Sequence, residues 1–118
     1  MSVEASENSL INLAGDTWRL LKLVERILTK LDAGDAQRYI GQLRYFKQQI
    51  ESNLETAGFK LVNVEGQPFE AGTAASAINI GDFAAEDELL VDQMLEPIIM
   101  GVDGIRKQGT VKLRKVIA

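Results

Sequence analysis

The side chains that could do chemistry in this sequence are carboxylates. Asp82, Glu86 and Asp87 lie close together in the chain, and such acids serve glycosidases and magnesium-dependent enzymes when a pocket holds them. Histidine and cysteine are absent, which removes the usual base near neutral pH, the thiolate nucleophile and the common zinc ligands. We therefore predict a protein that is not an enzyme and uses no cofactor or metal. An acid-dependent enzyme built on these three carboxylates is the alternative.

Charge and hydropathy narrow the class of partner. The net charge of −4 and the pI near 4.8 argue against nucleic-acid binding, which needs clustered Lys and Arg. No apolar run approaches the roughly 20 residues of a membrane span, and the N-terminus has no signal-peptide pattern. A cytoplasmic protein without membrane contact is predicted. The acidic segment 82–88 and the basic segment 106–115 are either two solvated surfaces or a charged docking face.

The first half of the chain carries a helical period. Apolar residues recur at steps of three and four, which predicts an amphipathic helix over residues 9–31 after a frayed segment 1–8. Gly34 is expected to end this helix and Asp35 to cap the next one. The second helix is expected to end near Gly58, which suits a left-handed C-terminal cap.

One helical hairpin cannot bury two apolar stripes, so we expect a second copy to cover them and complete a four-helix bundle. Packing onto the chain's own second half is the alternative. Thr17 and Ala14 are the small or polar positions expected to set register in this seam. The residues predicted to mediate dimerisation are Leu10, Trp18, Leu21, Val24, Leu28, Leu43, Phe46 and Ile50.

The second half has strand character. A β-type run over 59–64 ends at the turn Glu65-Gly66-Gln67-Pro68, and further short segments are separated by glycines. Pro97 marks a bulge, a bend or an edge within the apolar stretch 89–100. We predict about four short strands, with residues 86–95 as the one segment that could instead be helical. The predicted fold is α+β, with a dimerising helical hairpin over 1–57 and a small β-domain that binds a partner over 58–118.

Several of these features, in this order, resemble the GrpE family of nucleotide exchange factors from Leu10 onward. The similar stretches are Leu-Leu-Lys-Leu-Val-Glu-Arg-Ile-Leu at 20–28, Leu-Glu-Thr-Ala-Gly-Phe at 54–59 and Gly-Gln-Pro-Phe-Glu-Ala at 66–71, with a looser echo in Gly-Ile-Arg at 104–106. The sequence departs from the family where Glu-Ala replaces Asp-Pro at 70–71, where His-Glu-Ala is missing, and where the long helix before the bundle has no counterpart.

The resemblance implies a non-catalytic co-chaperone. Members of this family dimerise through helices and press a small β-domain against the ATPase domain of a DnaK-type chaperone, so that ADP leaves. Carried onto this sequence, the partner-binding residues are Gly58, Phe69, Glu70 and Arg106, with Arg114 as the alternative position for the arginine. The departures leave a second hypothesis, a small dimeric adaptor that keeps the fold without exchange activity.

Overall fold

Two α-helices and six strands follow one another in residues 2–117, which are the part of the chain described by this computed structural model. The two long helices precede two small sheets, and this confirms the predicted α+β layout. By their internal contacts the residues form two units, one up to Lys60 and another from Leu61 onward. The helices therefore belong to the first unit and nearly all of the strands to the second.

The first helix, α1, runs over Val3–Leu28 and begins earlier than the apolar period indicates. Ser2 is its N-cap, and the Ser2 hydroxyl accepts a hydrogen bond from the Ala5 amide at 3.0 Å. Glu4 adds a negative charge to the first turn, where the helix dipole favours it. The prediction of a frayed segment 1–8 was wrong for its described residues, because this cap stabilises a polar first turn. Met1 lies outside the described residues.

The second helix, α2, runs over Ala33–Thr56 and begins at Asp32 rather than at Asp35. The Asp32 carboxylate accepts a hydrogen bond from the Asp35 amide at 2.9 Å, which lowers the pKa of Asp32. Gly34 lies in the first turn and does not break a helix. The predicted cap was wrong because two aspartates three residues apart both fit an N-cap, and the extended backbone of Asp32 makes it the one that is used.

The end of α2 is a Schellman motif centred on Gly58. Gly58 has a φ of +87°, its amide donates to the Glu55 carbonyl, and the next amide, of Phe59, donates back to the Leu54 carbonyl at 2.9 Å. Phe59 and Leu54 are both buried, which supplies the apolar contact usual in this motif. The left-handed cap predicted at Gly58 is confirmed.

Six short strands form two three-stranded sheets. In the first sheet the order is β1-β4-β5, and in the second it is β2-β6-β3, with β2 parallel to β6 and β3 antiparallel to it. The bounds are β1 Lys60–Val62, β2 Ala75–Ala77, β3 Leu89–Glu96, β4 Ile98–Gly101, β5 Gly104–Lys107 and β6 Gly109–Lys115. A single sheet of about four strands was therefore too simple a prediction.

Pro97 explains part of that difference. It lies between β3 and β4, so the apolar stretch 89–100 contributes one strand to each sheet. A bulge, a bend or an edge position was predicted at Pro97, and the structure has a break between two strands there; residues 86–95 are not helical. Residues 101–104 form the hairpin turn that joins β4 to β5.

The core of the second unit is formed by buried residues of β3, β4 and β6, including the adjacent pair Ile98 and Ile99 on β4. The buried apolar side chains there are Val91, Met94, Ile98, Ile99, Val111 and Leu113. Met94 and Ile98 are only 1% and 4% exposed, which places both in the core. Close packing continues at Gly109, where an added Cβ would lie 2.7 Å from the Met94 Cε.

Candidate functional site

An uncovered apolar groove lies between α1 and α2 in the helical unit and is named here the hairpin groove. It has a volume of about 590 Å³. Its lining consists of Thr17, Leu20, Leu21, Val24, Ile27, Leu28, Leu31, Tyr39, Gln42, Leu43, Phe46 and Ile50. Several of these side chains are exposed to a degree unusual for apolar residues, with Leu20 at 59% and Phe46 at 56%. Exposed apolar area of this kind is typical of a surface that another molecule covers.

Six of the eight residues predicted to mediate dimerisation line this groove. They are Leu21, Val24, Leu28, Leu43, Phe46 and Ile50. Leu10 and Trp18 do not line it: Leu10 is half-buried nearer the start of α1, and Trp18 is only 4% exposed. The Lys22 ammonium lies 5.1 Å from the centre of the Trp18 ring, a cation–π distance. Trp18 is therefore an interior residue of the chain as it stands.

Two polar side chains lie among the apolar ones in the hairpin groove. Thr17, singled out from the sequence, lines the groove, and so does Gln42. A second, smaller groove of about 420 Å³ shares Leu28 and Leu43, but it is edged by Glu25, Arg44 and Lys47. The hairpin groove is thus the more apolar of the two.

The turn that carries Phe69 and Glu70 is fixed against β3. Gly66 has a φ of +81°, a value that favours glycine. The amides of Gly66 and Phe69 donate to carbonyls of β3 at 2.8 and 2.9 Å. Phe69 is half-buried, while Glu70 is exposed and its amide donates to the Thr73 hydroxyl at 3.0 Å. Hydrogen bonds thus fix the backbone of this turn before and after Phe69, while the Glu70 carboxylate faces solvent.

Gly58 and Arg106 lie in other elements. Gly58 ends α2, whereas Arg106 is on β5, in the sheet that does not contain β3. Arg106 is exposed, and its aliphatic part lies so close over Gly101 that a Cβ there would be 2.7 Å from the Arg106 Cγ. The four predicted partner-binding residues therefore come from a helix end, one turn and one edge strand.

The three candidate catalytic acids have different surroundings. Asp82 and Glu86 are exposed. The Asp87 carboxylate accepts a hydrogen bond from the Ala84 amide at 2.9 Å and forms an ion pair with Lys115 at 3.2 Å. The hydrogen bond, and then Lys115, lower the pKa of Asp87. A lowered pKa keeps this carboxylate ionised, which suits a structural role better than proton donation.

Sequence patterning missed one group of exposed residues in the second unit. Ile78 is 62% exposed and Ile80 is 53% exposed, just after the edge strand β2. The alternation of Ala77-Ile78-Asn79-Ile80 predicts a strand over these residues, but β2 ends at Ala77 and a short 3₁₀-helix begins at Ile80, so that prediction was largely wrong. Asn79, rather than either isoleucine, is the residue turned toward β6, and its side-chain amide bonds both backbone groups of Leu113.

Comparisons with known proteins found no match: no family model, no curated protein and no solved structure matches the chain. Within residues 2–117, no helix is both long and apolar enough to cross a membrane. The same residues contain no cluster of three or more acidic side chains placed to hold a metal ion.

Proposed function

We propose that this chain is a non-catalytic co-chaperone of the GrpE type, which promotes ADP release from the ATPase domain of a DnaK-type chaperone. The observation that carries the proposal is the succession of parts: an apolar helical hairpin, a left-handed glycine at Gly58, and a unit of short strands that begins with the Gly66-Gln67-Pro68-Phe69 turn. The sequence resemblance to the GrpE family depends on the same order of features.

The hairpin groove supports the dimeric part of the proposal. Two hairpins placed groove to groove would bury the exposed faces of Leu20, Ile27 and Phe46 in one step, as four-helix bundles do. A twofold interface uses the same patch on both copies, so one apolar groove is sufficient to form it. The proposed dimer then carries two β units for partner binding, in the cytoplasm.

The exchange mechanism needs no reacting group on this chain. A protein that binds the open nucleotide cleft of the ATPase better than the closed one shifts the population toward the open form. Linkage requires that ADP weakens binding of the exchange factor by the same factor, typically about 5- to 150-fold. The solvent-facing Asp82 and Glu86 and the ion-paired Asp87 accord with a role in binding rather than in catalysis.

The test is release of a fluorescent ADP analogue from the DnaK-type ATPase of the same organism, followed by stopped flow. We expect the release rate to rise with concentration of the chain and to saturate. Charge reversal at the proposed contacts, Glu70→Lys or Arg106→Glu, should reduce the acceleration about tenfold or more. The matched control is Glu51→Lys, an exposed acid on α2 that is outside these contacts.

Two outcomes contradict the proposal in different ways. An unchanged release rate with no detectable complex at saturating concentration excludes the co-chaperone function altogether. Complex formation without acceleration leaves the dimeric adaptor as the function, which the Glu70-Ala71 departure from the family pattern permits.

A further inference from the structure

Two exposed leucines of α1 do not line the hairpin groove. Leu13 is 61% exposed and Leu23 is 45% exposed, and neither is part of the groove lining. Both belong to a longer pattern, in which apolar residues and one threonine follow alternating steps of three and four. The members of this seam are Leu10, Leu13, Thr17, Leu20, Val24, Ile27 and Leu31. Leu23 flanks the seam, and a heptad seam of this kind packs against another helix.

Asp16, Leu23 and Lys30 repeat every seven residues along one flank of the seam. All three are exposed, whereas Leu28, on the opposite flank, is buried. Lys30 follows α1, but its amide donates to the Ile27 carbonyl at 3.0 Å, so the chain is still in a helical turn there. This surface, named here the open flank of α1, therefore has an acid at one end, a leucine in the middle and a cation at the other end.

The open flank is complementary to itself when two copies of α1 run in opposite directions. The flanking residues of an antiparallel helix pair meet in reverse order. With Leu23 opposite Leu23 of a second copy, Asp16 lies opposite Lys30 of that copy, because both charges are seven residues from the middle. Twofold symmetry makes this pairing occur twice.

The same orientation gives apolar layers in both helices. On α1, Leu20 lies opposite Val24 of the second copy, so that pairing is centred on residue 22. On α2, Leu43 lies opposite Phe46 of the second copy, so that pairing is centred between residues 44 and 45. All four side chains line the hairpin groove, so these layers would fill the groove from both copies.

A single twofold axis must pass through both centres, so the centres must lie at one level of the hairpin. The groove lining spans residues 17–31 of α1 and 39–50 of α2. Its middle is therefore at residue 24 on α1 and between residues 44 and 45 on α2. The centre on α1 lies two residues from that level, which is about 3 Å and less than one helical turn.

The antiparallel arrangement also provides a partner for the polar side chain in the groove. Gln42 and Gln49 are exposed on α2 and are seven residues apart. In the α2 pairing centred between residues 44 and 45, Gln42 lies beside Gln49 of the second copy. Side-chain amides both donate and accept hydrogen bonds, so the two glutamines can satisfy each other.

The other way to join two hairpins places α1 beside α2 of the second copy. At the levels set by the groove, Leu23 would then lie opposite Gln42. Lys30 would meet Asp35, but Asp16 would have no cation opposite it. The antiparallel arrangement instead matches leucine with leucine, amide with amide and acid with cation, and complementarity of this kind selects one orientation over another.

We propose that two copies of this chain associate with their α1 helices side by side and antiparallel, with an Asp16–Lys30 ion pair on each side of a Leu23–Leu23 contact. This inference rests on the dimer in the proposed function and adds its orientation. The second copy is the occupant because the open flank matches itself in shape of pattern and in charge. In this dimer the Thr56 ends of the two α2 helices lie at opposite ends of the four-helix bundle.

The first experiment is a charge swap, read as the dimer dissociation constant of the full chain by sedimentation equilibrium. Asp16→Lys and Lys30→Asp should each raise the constant about tenfold, because each replaces two attractions with two repulsions. The double variant Asp16→Lys/Lys30→Asp should return to within about threefold of the unchanged chain, and high salt should reduce the effect of each single variant. In the other arrangement Asp16→Lys would have little effect, and the double variant would stay as weak as Lys30→Asp.

Glu51→Lys is the matched control for the charge swap. Glu51 is an exposed acid on α2 that does not line the groove, so its reversal should change the constant by less than about threefold. Circular dichroism with thermal unfolding verifies that each variant is folded.

The second experiment is cross-linking, which the absence of native cysteine makes specific. Leu23→Cys should form a covalent dimer with a short bis-maleimide, because residue 23 meets itself at the twofold axis. Arg26→Cys, exposed and outside the groove lining, is the control and should not. A mixture of Leu23→Cys and Gln42→Cys chains should cross-link to each other only in the other arrangement.

The outcomes separate the orientation from the dimer and from the function. If the unchanged chain dimerises, but the double variant is not restored or Leu23→Cys does not cross-link, the antiparallel orientation is wrong while the dimer stands. A chain that stays monomeric at millimolar concentration overturns the orientation and the dimer together. Failure of the ADP-release assay alongside a restored double variant overturns the co-chaperone function and leaves the orientation standing.

Discussion

Phe46 gives the sharpest test of the hairpin groove, through the change Phe46→Ala. Its side chain is 56% exposed in the single chain, and a residue of this size offers roughly 200 Å². About 110 Å² would therefore be buried in each copy of a dimer, worth about 2.8 kcal/mol at ~25 cal/mol/Å². Allowing for the area that alanine keeps and for incomplete conversion of area to affinity, we expect a loss of about 2 kcal/mol per copy.

A twofold dimer contains this contact twice, so the total loss is about 4 kcal/mol. That corresponds to a rise in the dimer dissociation constant of about a thousandfold. Sedimentation equilibrium over a wide concentration range measures the constant directly. The fold of the single chain should survive, because Phe46 is one of its more exposed apolar residues, and far-ultraviolet circular dichroism of the monomeric variant verifies this.

Tyr45 provides the control for this measurement. It is also 56% exposed and lies next to Phe46 in sequence, with the two rings 5.8 Å apart, yet it does not line the hairpin groove. Tyr45→Ala should change the dissociation constant by less than about tenfold. Equal losses for the two variants, or no loss for Phe46→Ala, would refute the reasoning, as would an unchanged chain that stays monomeric at millimolar concentration.

Three further predictions concern the stability of the chain. Gly109→Ala should lower the free energy of unfolding, measured by urea denaturation, by about 3 kcal/mol, because the added Cβ would lie 3.0 Å from a carbonyl oxygen of β3. Gly72→Ala is the control, because a Cβ at Gly72 would have no atom within 4 Å. Gly58→Ala should cost about 1 kcal/mol by the same assay, because a φ of +87° strains alanine. Asp87→Ala should destabilise the chain at pH 7 and much less at pH 3. The folded-state pKa of Asp87 is below its ordinary value of 3.8, so its contribution is present above that value and disappears as acid protonates it and breaks the Lys115 pair. An equal effect of Asp87→Ala at both pH values would exclude this linkage.

Local signals predicted the elements well. The period of apolar residues identified both helices, Gly58 marked the end of α2, and Pro97 marked an interruption that lies between β3 and β4. The glycine and proline signals depend on the backbone conformations that one residue allows, and the helix signal depends on a repeat within one element. Such local signals can be read without knowledge of the rest of the chain.

Features that depend on distant partners could not be predicted in the same way. The parallel pairing of β2 with β6 joins residues 75–77 to 109–111, and no local pattern specifies such a neighbour. The alternation over residues 77–80 is compatible with either face toward the core, and it did not indicate that β2 ends at Ala77. Only the position of Asn79 against Leu113 decides that the small alanines face inward and the isoleucines outward.

The central position of β6 has a consequence for the order in which the β2-β6-β3 sheet can form. β2 and β3 are not neighbours, and each reaches the sheet only through β6. Pairing only part of β2 with β6 therefore gives little net stabilisation. Bringing residues 77 and 109 together costs chain entropy, and only the complete set of β2–β6 and β3–β6 hydrogen bonds offsets that cost. We expect this sheet to appear and disappear as one cooperative unit. Its slowest amide hydrogens to exchange should be those of Val111 and Leu113, which are buried at its centre.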